Sequence, residues 1–364
     1  MDRVWGAKLE VDTNKVINNI LKIKDYVGSN VDIMPVIKDN SYGTYFHENL
    51  DIFDKTGIKI VAVAIVDEGI KLRNLGYKGE IFVLNQPLKD ELDSISKYDL
   101  IVGIGSIEFL KEIGKKQENF KIHIEIGTGM GRTGINPKRI DEYLAEASKY
   151  SNIIIDGIYT HFSCSDCDVD YTNAQINSFE RALNVVKEKV PTLRYIHTCN
   201  SAGIIDFENA HYNLVRPGLI LHGLYPVESL KDKISLEPTT KLKSKISFIK
   251  EVEKNTSISY GRSYITKDKT KVATVPLGYA DGIRRSMSNK GNVVVNGKIV
   301  PIIGKVCMDC FMIDVTSLEN VQVGDDVYIW DNENITIEDV AEIYDTISYE
   351  VLVSISPRVI REFK

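Results

Sequence analysis

The chain has 364 residues, 43% of them hydrophobic and 26% charged, which argues for a globular protein of about two domains at ~150 residues each and against a disordered or fibrous one. A net charge of −6 with no basic block argues against a nucleic-acid groove or a polybasic membrane face. No apolar run approaches the ~18–20 residues that span a bilayer. Met1-Asp2-Arg3-Val4-Trp5 leads into Lys8-Leu9-Glu10 with no signal-peptide stretch, and five cysteines are an odd count for a disulfide framework, so the expectation is a soluble cytoplasmic protein.

In chain order, a helix is expected over residues 12–26, opening on the N-cap candidates Asp12-Thr13. β-rich runs follow at 31–38, 58–65, 80–84, 100–104, 121–126, 153–161, 195–200 and 213–221, with helical stretches such as 106–116 and 173–189 between them. A row of about eight βα units is the arithmetic of a TIM-type (β/α)8 barrel. The rhythm breaks near residues 225–241, around Pro226 and Pro238. Beyond it the reading is mostly strand, at 243–252, 271–276, 291–300, 310–315 and 326–330, with one helix at 336–344. The fold class is therefore α/β: an N-terminal barrel domain over 1–232, then a β-rich C-terminal domain over 233–364, the first strand being a candidate to pack with the latter.

Barrel enzymes carry their sites at the C-terminal ends of the strands. Lys38 ends the first run, Glu125 stands near the end of the fifth with residues 127–134 beyond it, His161 ends the sixth, and Asn200-Ser201 the seventh. Arg216-Pro217-Gly218 lies in the eighth, and Arg132 in the glycine-rich stretch. Taken singly, Lys38 reads as a surface lysine and His161 as a structural histidine. In Lys121–Ile126, lysine, histidine and glutamate alternate with isoleucines, so the polar set faces either the barrel interior or solvent. Together, a lysine, two arginines, a histidine and a carboxylate on one rim are costly to desolvate unless they serve each other.

Two rival readings come from local patterns. Gly129–Gly134 fits G-x-G-x-x-G, and Asp156 stands roughly where a ribose-binding acid belongs, which would make a nicotinamide enzyme. Against this, Asn136-Pro137 looks like an N-cap followed by an N1 proline, so the helix starts after the glycines. Cys164/Cys167 and Cys307/Cys310 form two C-x-x-C pairs, but they lie much further apart than the ~15–20 residues of a zinc ribbon, and no metal is expected.

Along nearly its whole length the chain resembles the alanine racemases, pyridoxal-phosphate enzymes of barrel-plus-β-domain architecture. The motifs are Val36-Ile37-Lys38-Asp39-Asn40-Ser41-Tyr42-Gly43, the glycine-rich stretch 127–134, Thr160-His161-Phe162, Asn200-Ser201-Ala202 and Arg216-Pro217-Gly218. Further on they are Ser259-Tyr260-Gly261, Gly278-Tyr279-Ala280-Asp281-Gly282, Cys307-Met308-Asp309 and residues 349–358. The resemblance implies that Lys38 holds pyridoxal 5′-phosphate as a Schiff base and that Tyr42, Ser201, Tyr349 and amides around Gly218-Leu219 receive its phosphate. It implies that Arg216 meets the pyridine nitrogen, with Asn200 also on the cofactor and His161 between Arg216 and Tyr260. Arg132 would contact the phenolic oxygen and, with Met308, Tyr279 and Asp309, the substrate. The cofactor acts as an electron sink, and inverting Cα needs an acid–base group on each face. These would be Lys38 on the D-face and Tyr260 on the L-face. Tyr260 and Met308 would come from the partner of a head-to-tail homodimer.

The implied activity is interconversion of L- and D-alanine, supplying D-alanine for peptidoglycan. A serine or broad-specificity racemase and a non-catalytic pyridoxal-phosphate-binding protein are the alternatives. Two departures stand out. Glu125 occupies the place where many members carry a carbamylated lysine, which suggests a carboxylate orienting Arg132 without carbon dioxide. The family usually reads Ala-Tyr-Gly-His-Gly after the lysine's neighbours, whereas this chain has Ser41-Tyr42-Gly43-Thr44-Tyr45, with Asp39 in place of a small residue.

Overall fold

Residues 6–364 are described by the computed structural model, so the expectation placed on residues 1–5 lies outside the described residues. They form two units: one of Lys15–Ser41 and His47–Glu237, the other of described residues 6–14, Tyr42–Phe46 and Pro238–Lys364. Strand β1 (Lys8–Val11) and helix α1 (Thr13–Val27) open the chain.

β-Branched and aromatic runs build the first unit. Its strands are β2 (Asp32–Ile33), β3 (Ile60–Val63), β4 (Glu80–Val83), β5 (Leu100–Ile104), β6 (Phe120–Glu125), β7 (Ile153–Tyr159), β8 (Tyr195–His197) and β9 (Leu214–Val215). β3 to β8 pair in sequence order as a six-stranded parallel sheet, and β2 pairs in parallel with β9. Backbone bonds close the circle. Ile37 N–H reaches Ala62 O at 2.8 Å on one side, and Arg216 N–H reaches Cys199 O at 3.0 Å on the other. β3 and β5 are buried at every position, as a barrel wall covered by helices requires. The segment α2 (Lys38–Tyr42) is a short left-handed turn rather than a covering helix; the covering helices include α3 (Asp51–Thr56), α4 (Val66–Asn74), α5 (Leu92–Lys97), α6 (Ile107–Gly114), α7 (Ile140–Ala147), α8 (Val169–Lys189) and α9 (Ser201–Asp206).

Three expectations shift here. α8 starts at Val169 rather than 173, because the Asp168 carboxylate caps the Tyr171 N–H at 2.9 Å. The run expected at 195–200 stops at His197, where Asn200 turns to cap α9. The run at 213–221 keeps two strand residues, and Pro217-Gly218 then hands the chain to a 3₁₀ turn, Leu219–His222.

The second unit comprises β1 with β10 (Thr240–Lys245), β11 (Phe248–Val252), β12 (Ser257–Ile258), β13 (Tyr264–Ile265), β14 (Thr270–Val275), β15 (Asn292–Val295), β16 (Lys298–Ile303), β17 (Phe311–Asp314), β18 (Asp326–Trp330), helices α10 (Ile337–Tyr344) and α11 (Ser348–Val353), and β19 (Ile360–Phe363). A nine-stranded sheet runs β11-β14-β17-β16-β15-β18-β10-β1-β19. β1 is antiparallel to β10 and parallel to β19. The single strand expected at 243–252 is two, which pair at different places in the sheet. The one at 291–300 is a hairpin, turning on Asn296 (φ 50°) and Gly297 (φ 72°) as a type I′ turn demands. Among the described residues no helix is long and apolar enough to cross a membrane.

Candidate active site

At the C-terminal ends of the barrel strands the polar groups gather. The β2 run delivers Lys38 and then enters an unusual turn: Asp39, Asn40, Ser41 and Tyr42 all take left-handed dihedrals, φ 50–57°. Left-handed backbone costs about 1–2 kcal/mol per non-glycine residue. The offsetting contacts include the Ser41 N–H to Ile37 O (2.9 Å), the Asp39 N–H to the Glu68 carboxylate (2.5 Å) and the Ser41 hydroxyl to His47 Nδ1 (2.8 Å). Gly43 (φ 79°) follows, where an added Cβ would lie 2.9 Å from Leu352 O. Tyr45, where the family usually has glycine, is also left-handed (φ 61°). The Arg361 guanidinium lies over its ring at 5.1 Å, and Arg361 Nε donates to Gly43 O at 2.9 Å.

Arg216 is buried. Its Nη1 donates to His197 Nδ1 at 2.8 Å, and its Nη2 to Thr160 O (2.8 Å), Thr198 O (3.0 Å) and His161 Nδ1 (3.3 Å). All four acceptors are uncharged. Burial lowers its pKa to about 10, so it stays cationic at neutral pH. Burial, then the charges of Arg216, Arg132 and Lys38, hold His161 well below the usual imidazole range. Burial, followed by the charge of Arg132, also pulls down the Lys38 amine. Lys38, Arg132, His161 and Arg216 therefore feel one another across one rim.

Against these cations stands buried Glu125. Its Oε1 accepts the Thr133 hydroxyl at 2.7 Å, and its Oε2 has no partner. Burial raises its pKa, while Thr133, Tyr159, Arg132 and Arg216 oppose the rise. Glu125 thus bonds Thr133, the residue after Arg132, and feels the charge of Arg132 as well.

Beside this group, Asn200 Oδ1 caps α9 by accepting the Gly203 N–H (3.0 Å) and also takes the Ser165 hydroxyl (2.8 Å). Ser201 Oγ accepts the Gly218 N–H at 3.1 Å, which leaves its own hydrogen for a further acceptor. Leu219 begins the 3₁₀ turn beyond Gly218. The glycine-rich stretch is a loop that returns to its own strand, Gly127 N–H bonding Ile135 O (2.9 Å) and Ile135 N–H bonding Glu125 O (2.8 Å). The next helical turn begins at Pro137, capped by Asn136. Asp156 is gripped through both oxygens by Arg194 (2.6 and 2.7 Å). Neither feature of the nicotinamide reading is thus built for a dinucleotide.

In the second unit, Tyr42 and Tyr349 rings lie 6.1 Å apart, and burial with the neighbouring Tyr349 raises the Tyr42 pKa. Tyr260 follows left-handed Ser259 (φ 63°), whose hydroxyl bonds Lys305 O at 2.6 Å. Tyr279 N–H meets Cys307 O and Ala280 N–H meets Met308 O, both at 3.0 Å. These bonds tie three loops together and present Tyr260, Tyr279 and Met308 at 71, 44 and 53% exposure. Asp309 gives its carboxylate to Arg358 (2.6 Å), which also clasps Asp281. Cys164 and Cys167 share a turn ahead of α8, the Cys307 N–H bonds Cys310 O at 2.8 Å, and all five cysteines are unpaired.

Sequence reasoning passed over His197 and gave His123, noted in the alternation of 121–126, no role in the site. Their signal was the inward alternation of β6 and β8, where each ring is fully buried.

A barrel whose strand ends gather a lysine, two arginines, a histidine and a buried carboxylate has the form of an enzyme site. Residues 11–226 match the family model described as alanine racemase, N-terminal domain, and residues 239–363 the one described as alanine racemase, C-terminal domain. The chain is 39% identical to the alanine racemase of Halothermothrix orenii, over 98% of this chain and 96% of that one. It is 38% identical to that of Methanococcus maripaludis, covering 98% of each. Among solved structures, the alanine racemase of Clostridium difficile 630 superposes with a TM-score of 0.93 at 32% identity, covering 98% of this chain and 95% of the other. The Bacillus anthracis enzyme with bound L-Ala-P gives 0.91 at 33%, covering 98% and 94%. The chain belongs to the alanine racemase family, and its barrel-plus-β architecture is that of an isomerase.

Proposed function

We propose that this protein interconverts L- and D-alanine with pyridoxal 5′-phosphate, in the cytoplasm, and so supplies D-alanine for peptidoglycan. The observation that carries the reading is the convergence of Lys38, Arg132, His161 and Arg216 on a rim whose buried anion, Glu125, keeps one oxygen unpartnered. That donor set fits a cofactor bringing a phosphate, a phenolic oxygen and a carbonyl that a depressed-pKa lysine can bind covalently. Five unpaired cysteines accord with a reducing compartment.

When bound, the cofactor supplies an electron sink that stabilises negative charge at the substrate's Cα. Lys38 Nζ exchanges the α-proton on the D-face. The Tyr260 oxygen would do so on the L-face: in the L-to-D direction Tyr260 as phenolate takes the α-proton and Lys38 as ammonium gives one to the opposite face, and in the D-to-L direction the two swap these roles. The lowered Lys38 pKa brings this amine toward the working pH of a general base. Arg216 would face the cofactor's ring nitrogen. A guanidinium does not release its proton at neutral pH, so Arg216 would leave that nitrogen unprotonated and would limit ring delocalisation, the route to transamination. His161, Arg132 and Asn200 complete the barrel's share. Ser201 would receive phosphate together with amides around Gly218-Leu219, the Gly218 N–H being held by Ser201 Oγ here, and Tyr42 and Tyr349 keep the phosphate role that the resemblance implies. Tyr260, Met308 and Tyr279 form an exposed aromatic and thioether patch, which suits service in the site of a partner subunit, with Asp309 bracing it through Arg358.

A chiral assay of cofactor-loaded protein against L-alanine, L-serine and other amino acids tests the substrate. D-Alanine should form fastest, and Lys38→Ala should abolish turnover; faster serine inversion would overturn the alanine assignment. Mixing inactive Lys38→Ala and Tyr260→Phe proteins through unfolding and refolding should restore about a quarter of wild-type activity if Tyr260 serves the partner's site. No recovery would place it elsewhere.

A further inference from the structure

A hydrogen-bonded file of side chains runs through the barrel interior to Arg216. Arg216 Nη1 meets His197 Nδ1 at 2.8 Å, and His197 Nε2 meets His123 Nδ1 at 2.8 Å. His123 Nε2 faces Asp156 Oδ2 at 3.7 Å, and Arg194 grips both oxygens of that aspartate while also reaching Glu80 at 2.6 Å. Both imidazoles are fully buried. Tyr159 stacks on His197 at 5.0 Å and 3°, and Phe82 on His123 at 4.5 Å and 24°, which fixes the ring planes.

The chemistry of the donors fixes every proton in this file. Arginine has no acceptor, so His197 Nδ1 must be bare and its Nε2 must carry the hydrogen. That hydrogen points at His123 Nδ1, which is therefore bare, so the hydrogen of a neutral His123 sits on Nε2, the nitrogen on the Asp156 side. His123 Nε2 has no hydrogen-bond partner, and at 3.7 Å its contact with the carboxylate is electrostatic. An aspartate offers two acceptors and no donor when ionised, so the file has one direction: Arg216 to His197 to His123 to Asp156.

We propose that Asp156 and His123 are positioning residues for Arg216: they hold His197 in the one tautomer that can accept from the guanidinium, and so fix where Arg216 points its remaining donors. The proposal rests on the reading of Arg216 as a group facing the cofactor. Asp156→Asn supplies the decisive perturbation. Asparagine has one oxygen, which Arg194 claims, leaving its amide N–H₂ toward His123 Nε2. His123 then becomes an Nδ1–H tautomer and His197 follows, which aims an N–H at an N–H of Arg216 and expels it.

The test uses the full-length protein labelled with ¹⁵N-histidine. In the wild type, long-range ¹⁵N–¹H correlation should show His123 and His197 both as Nε2–H tautomers between pH 6 and 9, with or without cofactor. Asp156→Asn should switch both to Nδ1–H and, in the loaded enzyme, lower kcat about tenfold with KM changed less than twofold. Asp156→Glu should keep the wild-type tautomers and most of kcat. His197 found as Nδ1–H in the wild type overturns the proposal without needing any variant to fold. A fall in kcat with both tautomers unchanged, or switched tautomers with kcat unchanged, overturns it as well. Wild-type tautomers as expected in a protein that binds no pyridoxal phosphate would instead strike at the proposed function and leave the relay standing.

Discussion

Replacing Glu125 by lysine sets carboxylate and cation logic against each other in one buried position. The carboxylate accepts the Thr133 hydroxyl at 2.7 Å and faces the charges of Arg132 and Arg216. Glu125→Lys deletes a charge-assisted bond of about 1.5–3 kcal/mol and adds a cation beside two others. Breaking a buried charge arrangement in this way costs about 3–5 kcal/mol, or two to four powers of ten if the loss falls on the transition state. Bicarbonate supplies carbon dioxide, which can turn the new amine into a carbamate, an anion on a stem much like the lost glutamate. The expected result is a variant at least a hundredfold slower than wild type without bicarbonate and substantially recovered with it, while the wild type ignores bicarbonate throughout. Parallel thermal melts should show the same rescue. Stimulation of the wild type, or a variant indifferent to bicarbonate, would refute the reasoning.

Other expectations concern stability. The Asp156 pKa falls to about 2, its burial outweighed by the two hydrogen bonds and the charge of Arg194 and by the nearby His123. A depressed carboxylate contributes stability above its unfolded pKa near 4 and loses it as pH falls toward 2, about 1–2 kcal/mol given the half-exposed Arg194. Asp156→Asn should flatten the acid limb of a denaturant-midpoint profile by that amount. Arg361 donates to the carbonyls of Gly43, Ile355, Ser356 and Val359, so Arg361→Ala should cost about 2–4 kcal/mol in urea unfolding. An alanine Cβ at Gly278 would sit 2.3 Å from Met308 O, against backbone rather than a yielding side chain. Gly278→Ala should therefore displace Met308 and lower kcat/KM for alanine at least tenfold, with a smaller change in melting temperature.

The barrel was legible because its strands follow each other at βα spacing, and the rule that sites sit at strand C-termini drew attention to Lys38, Glu125, His161 and Arg216 before any contact was known. Lone positions misled where only partners decide. Asp156 stood at the spacing of a ribose acid, yet Arg194, 38 residues away in sequence, owns both its oxygens. The bond from Thr133, beside Arg132, to Glu125 was not legible, because it depends on how the glycine-rich loop returns to the strand. The Asn296-Gly297 dipeptide is a strong hairpin signal that the run of valines around it masked. The histidine file was invisible because period-2 alternation tells which residues face inward but not which of them touch.

The pairing of β1 between β10 and β19 bears on how the molecule is made. Leu9 lies opposite both Leu242 and Arg361, so the first described strand finds its neighbours only after more than two hundred, and then more than three hundred, further residues exist. All the strands of the parallel barrel lie within that interval. A nascent chain can therefore complete the barrel while β1 still exposes both of its edges, a row of unpaired N–H and C=O groups open to any passing strand. Loop closure this long is slow. Synthesis thus opens a window in which the two ends of one sheet are separated by an already folded body, and chaperone demand or strand exchange between neighbouring copies should peak there.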